Sequence, residues 1–349
     1  MRYCVVLGTR PNYLKAVPIC REFEKQGIDY KAFDPGQHYD YEMGAIFEEQ
    51  LPIKDLYKCE RKEDNQIKNV EEMMRHFDNY LSGEGEFDYT IVIGDVNASL
   101  ACALVSNKHN IPVIHIEAGL RSFDIRMPEE LNRITIDHIS RLLFATCQDG
   151  LDNLSNEGIV DGVFMMGNTA CDTIELIRPK LIRREENHNC ILVTLHRPEN
   201  IDNAPRLEAI MKQIAFLARR HKVIFPIHPR TRKAIDKLGL KWIDEDIFSK
   251  PLGYREMISI MSQAYAVITD SGGIQEETSY LGVNCLTVRD NTERPITITQ
   301  GTNRLVVPEK IADEVAILPP AVKKEIPFWD GKTAGRIVDM LVYLAKSRW

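Results

Sequence analysis

The chain lacks paired cysteines and long apolar runs. Its 8 cysteines are scattered from Cys4 to Cys285, with no Cys-x-x-Cys pair and no spaced His and Cys residues typical of zinc sites. We therefore expect buried thiols in a reducing compartment and no metal. No apolar stretch approaches the roughly 20 residues of a membrane-spanning helix, and the N-terminal run is too short for the core of a secretion signal. These absences predict a cytoplasmic protein without a membrane partner.

An excess of positive charge is also missing. The formal net charge of the 349 residues is -7, whereas proteins that bind nucleic acids or anionic membranes normally present a basic face. We therefore expect no nucleic-acid partner. Hydrophobic residues make up 44% of the chain, enough to fill packed cores. Because a single core stops growing below this chain length, we expect two domains.

Short apolar runs alternate with longer amphipathic stretches, a pattern typical of β-α units around a parallel sheet. The runs are continuous, as expected where helices cover both faces of a sheet. They predict strands at residues 3–7, 89–93, 113–116, 142–145, 163–166, 191–195, 223–227, 266–269 and 285–287. The amphipathic stretches predict helices at residues 65–81, 99–108, 129–141, 204–220, 254–263, 274–281 and 333–346. Within the third helix, Leu131, Ile134 and His138 would share one face.

The polar and basic run at residues 178–189 is the best candidate for a linker. It separates a first Rossmann-like domain, residues 1–177, from a second one, residues 190–328. We expect the C-terminal segment, residues 333–349, to form a helix that packs back on the first domain. The predicted fold class is therefore α/β, with two Rossmann-like domains whose parallel sheets face a central cleft.

Polar residues follow five of the predicted strands, at the edge where ligands of open parallel sheets bind. These segments are Gly8 to Lys15, Gly94 with Asp95, Glu117 to Arg121, His196 to Asn200, and Asp270 to Gly273. A single charged residue at a strand end usually caps a helix or faces water. Five such segments together indicate a ligand site.

The segment Asp270-Ser271-Gly272-Gly273 leads into a predicted helix, so its backbone N–H groups and the positive helix end suit a diphosphate. A helix terminus contributes only about 0.3–2 kcal/mol toward a negative group, so cations must assist it. The candidate cations are Arg10, Lys15 and Arg294. The alternative for the two glycines is a tight turn with a helix cap.

Two acids, Glu276 and Glu277, lie one turn into the same predicted helix, where a carboxylate can accept hydrogen bonds from ribose hydroxyls. This placement favours a nucleotide over a simple phosphate. A dinucleotide-dependent dehydrogenase is excluded because Gly8 opens no Gly-x-Gly-x-x-Gly motif after the first strand.

These motifs together resemble the non-hydrolysing UDP-N-acetylglucosamine 2-epimerases, whose fold is related to the GT-B glycosyltransferases. The resemblance covers almost the whole chain. In the first half it rests on Gly8-Thr9-Arg10-Pro11 with Lys15, Gly36-Gln37-His38, Gly94-Asp95, His115 to Arg121, Pro128-Glu129-Glu130 with Asn132-Arg133, and Gly167-Asn168. In the second half it rests on Thr194 with His196-Arg197 and Glu199-Asn200, His228-Pro229, Asp270 to Glu277, and Thr292 to Pro295.

The resemblance implies inversion of C2 in UDP-N-acetylglucosamine to give UDP-N-acetylmannosamine. UDP would leave C1 while a base removes the C2 proton, and UDP would then add back to a 2-acetamidoglucal intermediate. This route needs two acid/base groups on opposite faces of the sugar ring and cations for the departing diphosphate. The resemblance also implies a GT-B-like fold, a UDP-sugar as the substrate, no cofactor and a homodimer.

The same resemblance assigns candidate roles to individual residues. Asp95, Glu117 and Glu129 match positions that carry or support acid/base work, and His196 matches one that contacts the departing diphosphate. Arg10 and Ser271 to Gly273 would hold the diphosphate, Glu277 the ribose, and Arg294 the sugar or a phosphate. Main-chain groups of Leu252 and Met257 would contact uracil. The full set of expected substrate-binding residues is Arg10, Lys15, His38, Arg121, Arg133, Arg197, Glu199, Asn200, His228, Leu252, Met257, Ser271, Gly272, Gly273, Glu276, Glu277 and Arg294.

Some residues depart from the family pattern and leave the sugar open. Asn12-Tyr13 stands where Glu-Ala or Glu-Ile is usual, and Ile296 stands where a glutamate is common. These changes resemble relatives that act on UDP-sugars with a second acetamido group or a uronate. Tyr39-Asp40-Tyr41 differs from members that a second substrate molecule activates, so we do not predict such activation.

Other assignments also stay open from the sequence. Asp95 is alternatively a helix N-cap, and Glu129 alternatively complements a helix dipole. The alternative functions are a hydrolysing 2-epimerase that releases UDP and N-acetylmannosamine, a GT-B glycosyltransferase, and a non-catalytic protein that binds a nucleotide-sugar.

Overall fold

The computed structural model describes residues 1–37, 49–60, 65–182, 184–240 and 242–347. The chain divides into two compact units, Met1–Leu176 with Pro327–Trp349, and Ile177–Ile326. Each unit contains one parallel sheet with helices between its strands, so the predicted α/β class is confirmed. Among the described helices, none combines the length and apolar character needed to cross a bilayer.

The sheet of the first unit has seven strands within the described residues, in the order β3-β2-β1-β4-β5-β6-β7. They are β1 (Arg2–Val6), β2 (Asp29–Asp34), β3 (Leu56–Lys58), β4 (Tyr89–Ile93), β5 (Val113–Ala118), β6 (Leu142–Ala145) and β7 (Val163–Met165). The strand order reverses between β1 and β4. In open parallel sheets, ligands bind at this reversal, beyond the carboxyl ends of the strands.

Within the described residues, the helices of the first unit lie between its parallel strands or follow the last of them. They are Arg10–Gln26, Gln66–Glu84, Asn97–Lys108, Pro128–Ile139, Gln148–Asn156, Thr169–Ile177, which crosses into the second unit, and the C-terminal Thr333–Lys346. The C-terminal helix packs against Arg10–Gln26. Its start is held by the backbone N–H of Ala334, which donates to Oδ1 of Asp172 at 2.8 Å.

The sheet of the second unit has six strands within the described residues, in the order β10-β9-β8-β11-β12-β13. They are β8 (Ile191–Thr194), β9 (Val223–Pro226), β10 (Phe248–Ser249), β11 (Ala266–Thr269), β12 (Asn284–Thr287) and β13 (Asn303–Leu305). The helices are Pro198–Ile201, Ala204–Ala218, Pro229–Leu238, Tyr254–Met261, Gly272–Leu281, Ile296–Thr299 and Ile311–Ala316. Here the order reverses between β8 and β11.

The nine strands predicted from apolar runs are present, with ends that differ by up to two residues. Four further strands, β2, β3, β10 and β13, were not predicted. Three of them, β3, β10 and β13, are short edge strands, and β2 mixes exposed and buried residues, so their sequences contain no continuous apolar run. All 8 cysteines are unpaired and 7 are buried, as predicted.

The helix Pro128–Ile139 does not bury the face shared by Leu131, Ile134 and His138. Leu131 is 50% exposed, and His138 is exposed as well. The side chains buried by this helix include Arg133 and Asp137, which have charged partners inside the first unit. Charged side chains therefore share the inward face of this helix with Ile136, which is 0% exposed and belongs to an apolar core cluster.

Candidate active site

The crevice of the first unit begins where β1 leads into the helix Arg10–Gln26. The Asn12 side chain accepts a hydrogen bond from the Thr9 backbone N–H at 3.2 Å and donates one to the carbonyl of Ile93, the last residue of β4. Asn12 is 4% exposed. This departure from the family pattern therefore ties the ends of two neighbouring strands together at the reversal of the sheet.

Lys15 and Glu117 form a buried ion pair beside this contact. The Lys15 ammonium contacts Oε1 of Glu117, and the two side chains are 6% and 5% exposed. Glu117 lies near the end of β5, where the pairing with β6 shifts register between Ile116 and Ala118. Its φ of 71° is in the left-handed region, which is uncommon for residues other than glycine. Such backbone strain concentrates at functional sites.

Gly94 brings the end of β4 close to the Glu117 carboxylate. It has a φ of 63°, and a Cβ added to it would lie 3.0 Å from Oε2 of Glu117. A larger residue would therefore press against that carboxylate. Asp95 follows directly, so the structure places the two predicted acid/base residues at the ends of adjacent strands.

Asp95 is held from the helix Pro128–Ile139. The Arg133 guanidinium pairs with its carboxylate, with Nε donating to Oδ2 at 3.1 Å, and also pairs with Glu130. The side-chain amide of Asn132 donates to the Asp95 carbonyl at 2.8 Å. The next helix begins after Val96 without a side-chain cap, so Asp95 is not the N-cap that the sequence allowed. Arg133, expected to bind substrate, is 3% exposed and holds two carboxylates.

Glu129 and Glu130 occupy the first turn of the same helix but differ in environment. Glu129 is partly exposed, whereas Glu130 is 2% exposed. The Glu130 carboxylate accepts backbone hydrogen bonds from Ser122 at 2.9 Å and from Phe123 at 2.8 Å. Glu130 was not among the predicted site residues, although it lies within the recognised Pro128-Glu129-Glu130 motif. It links the loop after β5 to Arg133 and, through Arg133, to Asp95.

A second buried network involves Asp137, which is 1% exposed. Its carboxylate contacts Nδ1 of His115 at 2.6 Å and accepts a hydrogen bond from the Arg121 guanidinium at 2.7 Å. Burial opposes the ionisation of Asp137, but His115 and Arg121 lower its pKa below the usual value. Arg121 also donates twice to Glu157, each time at 2.7 Å. The Arg121 guanidinium, predicted to bind substrate, is therefore already engaged by two carboxylates of the first unit.

In the second unit, Asp270 organises the ends of β8 and β11. Its buried carboxylate accepts hydrogen bonds from the backbone N–H groups of His196 at 3.1 Å and Arg197 at 3.0 Å, and from the Asn200 side chain at 3.1 Å. Burial opposes ionisation, but the hydrogen bond with the His196 side chain and the neighbouring donors lower the Asp270 pKa. This arrangement fixes His196, Arg197 and Asn200 relative to the following helix.

The helix Gly272–Leu281 begins at this point, with Ser271 as its N-cap. The Ser271 side chain makes no capping hydrogen bond, so the predicted helix cap is formed by backbone geometry alone. A Cβ added to Gly272 would lie 2.5 Å from Nη1 of Arg294 and 2.6 Å from Oε1 of Glu293, whereas one added to Gly273 would meet no atom within 4 Å. Of these two glycines, packing within the described residues therefore requires only Gly272.

A buried cluster of charges lies against Gly272. Arg294 pairs with Glu293 and, through Nε at 2.9 Å, with Glu276, while Arg289 pairs with Glu293 at 2.8 Å. Burial opposes ionisation of Glu293, but Arg294, Arg289 and Arg197 keep its pKa far below the usual range. Glu276 is 1% exposed, whereas Glu277 is partly exposed.

The remaining predicted residues have varied positions. His228 caps the helix Pro229–Leu238, with Nδ1 accepting from the Arg230 N–H at 3.2 Å. Leu252 and Met257 lie before and within Tyr254–Met261, and both are partly buried. Oε1 of Glu199 lies 3.6 Å from Nη1 of Arg197. Arg10 is the first residue of the helix Arg10–Gln26. His38 lies outside the described residues. No group of His, Cys, Asp and Glu suited to a metal occurs in the described part of the chain.

Comparison with known proteins gives consistent matches over nearly the whole chain. Residues 21–342 match the family model described as UDP-N-acetylglucosamine 2-epimerase. The UDP-N-acetylglucosamine 2-epimerase of Methanocaldococcus jannaschii is 38% identical over 365 residues, which covers 98% of this chain and 99% of the relative. The UDP-2,3-diacetamido-2,3-dideoxy-D-glucuronate 2-epimerase of Pseudomonas aeruginosa is 36% identical over 315 residues, 88% of each chain.

A solved structure resembles this fold closely. The crystal structure of the Methanocaldococcus jannaschii UDP-GlcNAc 2-epimerase in complex with UDP-GlcNAc and UDP matches with a TM-score of 0.89 and 38% sequence identity. The match covers 98% of this chain and 100% of that chain. The similarity therefore extends over both units.

Proposed function

Because the chain belongs to the UDP-N-acetylglucosamine 2-epimerase family, we propose that it converts UDP-N-acetylglucosamine to UDP-N-acetylmannosamine without hydrolysis. The observation that carries the proposal is the pair of carboxylates, Asp95 and Glu117, at the ends of adjacent strands. The two carboxylates pair with different cations, Asp95 with Arg133 and Glu117 with Lys15. Two separately supported carboxylates suit a reaction that removes a proton from one face of a carbon and returns one to the other.

The chemistry requires elimination because the C2 proton of a UDP-sugar is not acidic. A base removes this proton as the bond between C1 and the diphosphate oxygen breaks, and UDP leaves with the electron pair. The product is a 2-acetamidoglucal with a double bond between C1 and C2. Protonation of C2 from the opposite face, with return of the diphosphate oxygen to C1, gives the epimer and consumes no other reagent.

The first unit supplies the acid/base groups in this proposal. Asp95 and Glu117 exchange protons with the two faces of C2, and Glu129 supports them from the first turn of its helix. Lys15 balances the charge of the buried Glu117. Arg10, at the start of the helix after β1, contributes a further cation toward the sugar diphosphate.

The second unit supplies the nucleotide-binding groups. The N-terminus of the helix Gly272–Leu281 receives the diphosphate, and His196 stabilises its charge as the bond to C1 breaks. We assign the ribose to Glu277 rather than Glu276, because Glu276 is buried and paired with Arg294. Main-chain groups near Leu252 and Met257 contact uracil.

The decisive experiment is incubation of the protein with UDP-N-acetylglucosamine in heavy water, without NAD or an acceptor, followed by NMR. We expect deuterium at C2 of both intact UDP-sugars, because protonation comes from groups that exchange with solvent. Release of UDP with N-acetylmannosamine would instead establish a hydrolysing 2-epimerase. Unchanged, undeuterated substrate would reject the proposal for this sugar.

A second substrate has specific support. The Pseudomonas aeruginosa relative acts, by its name, on UDP-2,3-diacetamido-2,3-dideoxy-D-glucuronate. Asn12, which differs from the usual glutamate, donates to the carbonyl at the end of β4, directly before Gly94 and Asp95. The heavy-water experiment should therefore include this sugar in parallel, and the larger kcat/KM identifies the preferred substrate.

A further inference from the structure

His115 is a buried histidine outside the proposed acid/base set. It lies within β5, is 0% exposed, and has two polar neighbours. Its Nδ1 lies 2.6 Å from Oδ1 of Asp137, and its Nε2 lies 3.1 Å from the carbonyl oxygen of Gly94. A neutral imidazole has one donor and one acceptor nitrogen. Here both partners are acceptors, so both contacts are satisfied only when each ring nitrogen carries a proton.

Further charged groups surround the contact between His115 and Asp137. Asp137 also accepts hydrogen bonds from Arg121 at 2.7 Å and from the Gly119 N–H at 3.1 Å, and Arg121 pairs with Glu157. His115 and Arg121 therefore both face the Asp137 carboxylate, and Arg121 also faces the carboxylate of Glu157. Buried charges are stable in such paired and hydrogen-bonded sets.

The same histidine controls the backbone that precedes Asp95. The Gly94 N–H donates to the Ile116 carbonyl at 2.8 Å, and the Gly94 carbonyl faces His115. Both backbone polar groups of Gly94 are thus bound to β5, the strand that carries Glu117. Gly94 also leaves room for the Glu117 carboxylate, which lies 3.0 Å from the position of a Cβ.

We infer that His115 is a positioning residue that donates from both ring nitrogens and fixes the turn Gly94-Asp95 relative to Glu117. The inference rests on the proposed function, because the geometry that it preserves is the separation of the two acid/base carboxylates. His115 does not touch the sugar in this role. It connects the buried Asp137 to the backbone of the reacting turn, so its loss misplaces Asp95 without removing a reacting group.

Two variants separate its two hydrogen bonds. The amide of His115→Asn can replace the Nδ1 donor to Asp137, whereas the amide of His115→Gln can replace the Nε2 donor to Gly94. We expect His115→Asn to lower kcat by about 10-fold to 100-fold with little change in KM, because small displacements of catalytic groups cost about this much. His115→Gln should keep most of the wild-type kcat, because its amide can still donate to the Gly94 carbonyl. Equal kcat values in the two variants, at equal urea midpoints, would overturn the inference.

The charge of His115 is tested without turnover. NMR of protein labelled with ¹⁵N in its histidines, compared with the His115→Gln spectrum to assign the signal, should show both ring nitrogens protonated at neutral pH. A signal from a neutral His115 ring would overturn the inference. If the wild-type protein fails to epimerise either sugar, the proposed function fails, while the NMR result still decides the state of His115.

Discussion

Nδ1 of His196 lies 2.9 Å from Oδ1 of Asp270. The His196 side chain is 51% exposed, whereas the Asp270 side chain is 0% exposed. A buried carboxylate thus orients a ring that remains accessible at its other edge. This relationship joins the end of β8 to the end of β11 and supports the proposed role of His196 at the diphosphate.

The first prediction concerns Asp270. Asp270→Asn should lower kcat by at least about 10-fold, because the His196 ring loses the charged partner that orients it. Isothermal titration with UDP and steady-state kinetics measure the effect on binding and turnover. The matched control is Asp290→Asn, an exposed aspartate of the same unit that pairs only at the surface with Arg206. A kcat for Asp270→Asn equal to that of the control would contradict the role of this pair.

The second prediction concerns the acid/base carboxylates. Asp95→Asn and Glu117→Gln should each lower kcat by about 10²–10⁴-fold, the usual contribution of a general acid or base. In each variant, exchange of the C2 hydrogen for deuterium should also slow more in one UDP-sugar epimer than in the other, because the two groups act on opposite faces. Glu86→Gln, an exposed change in the first unit, is the control and should keep full activity. A loss under tenfold would remove the residue from the mechanism.

The third prediction concerns the backbone of Glu117. Glu117→Gly should be more stable than Glu117→Ala by about 1 kcal/mol, because glycine adopts the observed positive φ without strain. Both changes remove the ion pair with Lys15, so their difference isolates the backbone effect. The opposite order is expected at Glu71, an exposed position within the helix Gln66–Glu84. Urea unfolding measures both pairs, and a Glu117→Ala variant at least as stable as Glu117→Gly would reject the strained conformation.

The fourth prediction concerns the two glycines of the phosphate-type turn. Gly272→Ala should destabilise the protein by about 1–3 kcal/mol, because its Cβ would collide with the buried Arg294 and Glu293. Gly273→Ala should leave stability unchanged or raise it by up to about 1 kcal/mol, since alanine is the better helix former and has space. Urea unfolding of the ligand-free protein distinguishes them. Equal effects would show that the charge cluster does not pack against Gly272.

The fifth prediction concerns acid stability. Burial opposes ionisation of Asp270 and Glu293, but the hydrogen bond with His196 lowers the pKa of Asp270, and the charges of Arg294, Arg289 and Arg197 lower that of Glu293. Their ordinary values are 3.8 and 4.5, so their stabilising effect is complete above these values and decreases as the pH falls toward the folded-state pKa values.

Urea midpoints measured from about pH 7 to about pH 3 should therefore fall with pH, since protons bind more tightly to the unfolded chain. Asp270→Asn should show a flatter dependence, because one of the two carboxyls is absent. Asp290→Asn again serves as the control and should follow the wild-type curve. If the urea midpoint of Asp270→Asn changed with pH as steeply as that of the wild-type protein, Asp270 would have an ordinary pKa in the folded protein.

The sequence predicted a role for an individual residue only where that residue lies in a recognisable motif. Asp95 and Glu117 follow apolar strands, and this order alone predicted that they lie at strand ends. Arg121 and Arg133 belong to equally recognisable motifs. Their pairing with Asp137, Glu157 and Asp95 joins side chains 16 to 38 positions apart, so spacing within a motif does not reveal it.

Local pattern by itself determined the fold class, the central strands and the segments that follow them, because continuous apolar runs and helix-forming stretches are local properties. The tertiary structure alone decided which face of Pro128–Ile139 is buried and that Glu276 forms an ion pair with Arg294. It also decided that His115 lies between Asp137 and Gly94. These outcomes depend on charges brought together from distant parts of the chain. Attraction and hydrogen bonding between these groups offset the cost of burying their charges, and no single segment of the sequence contains both partners.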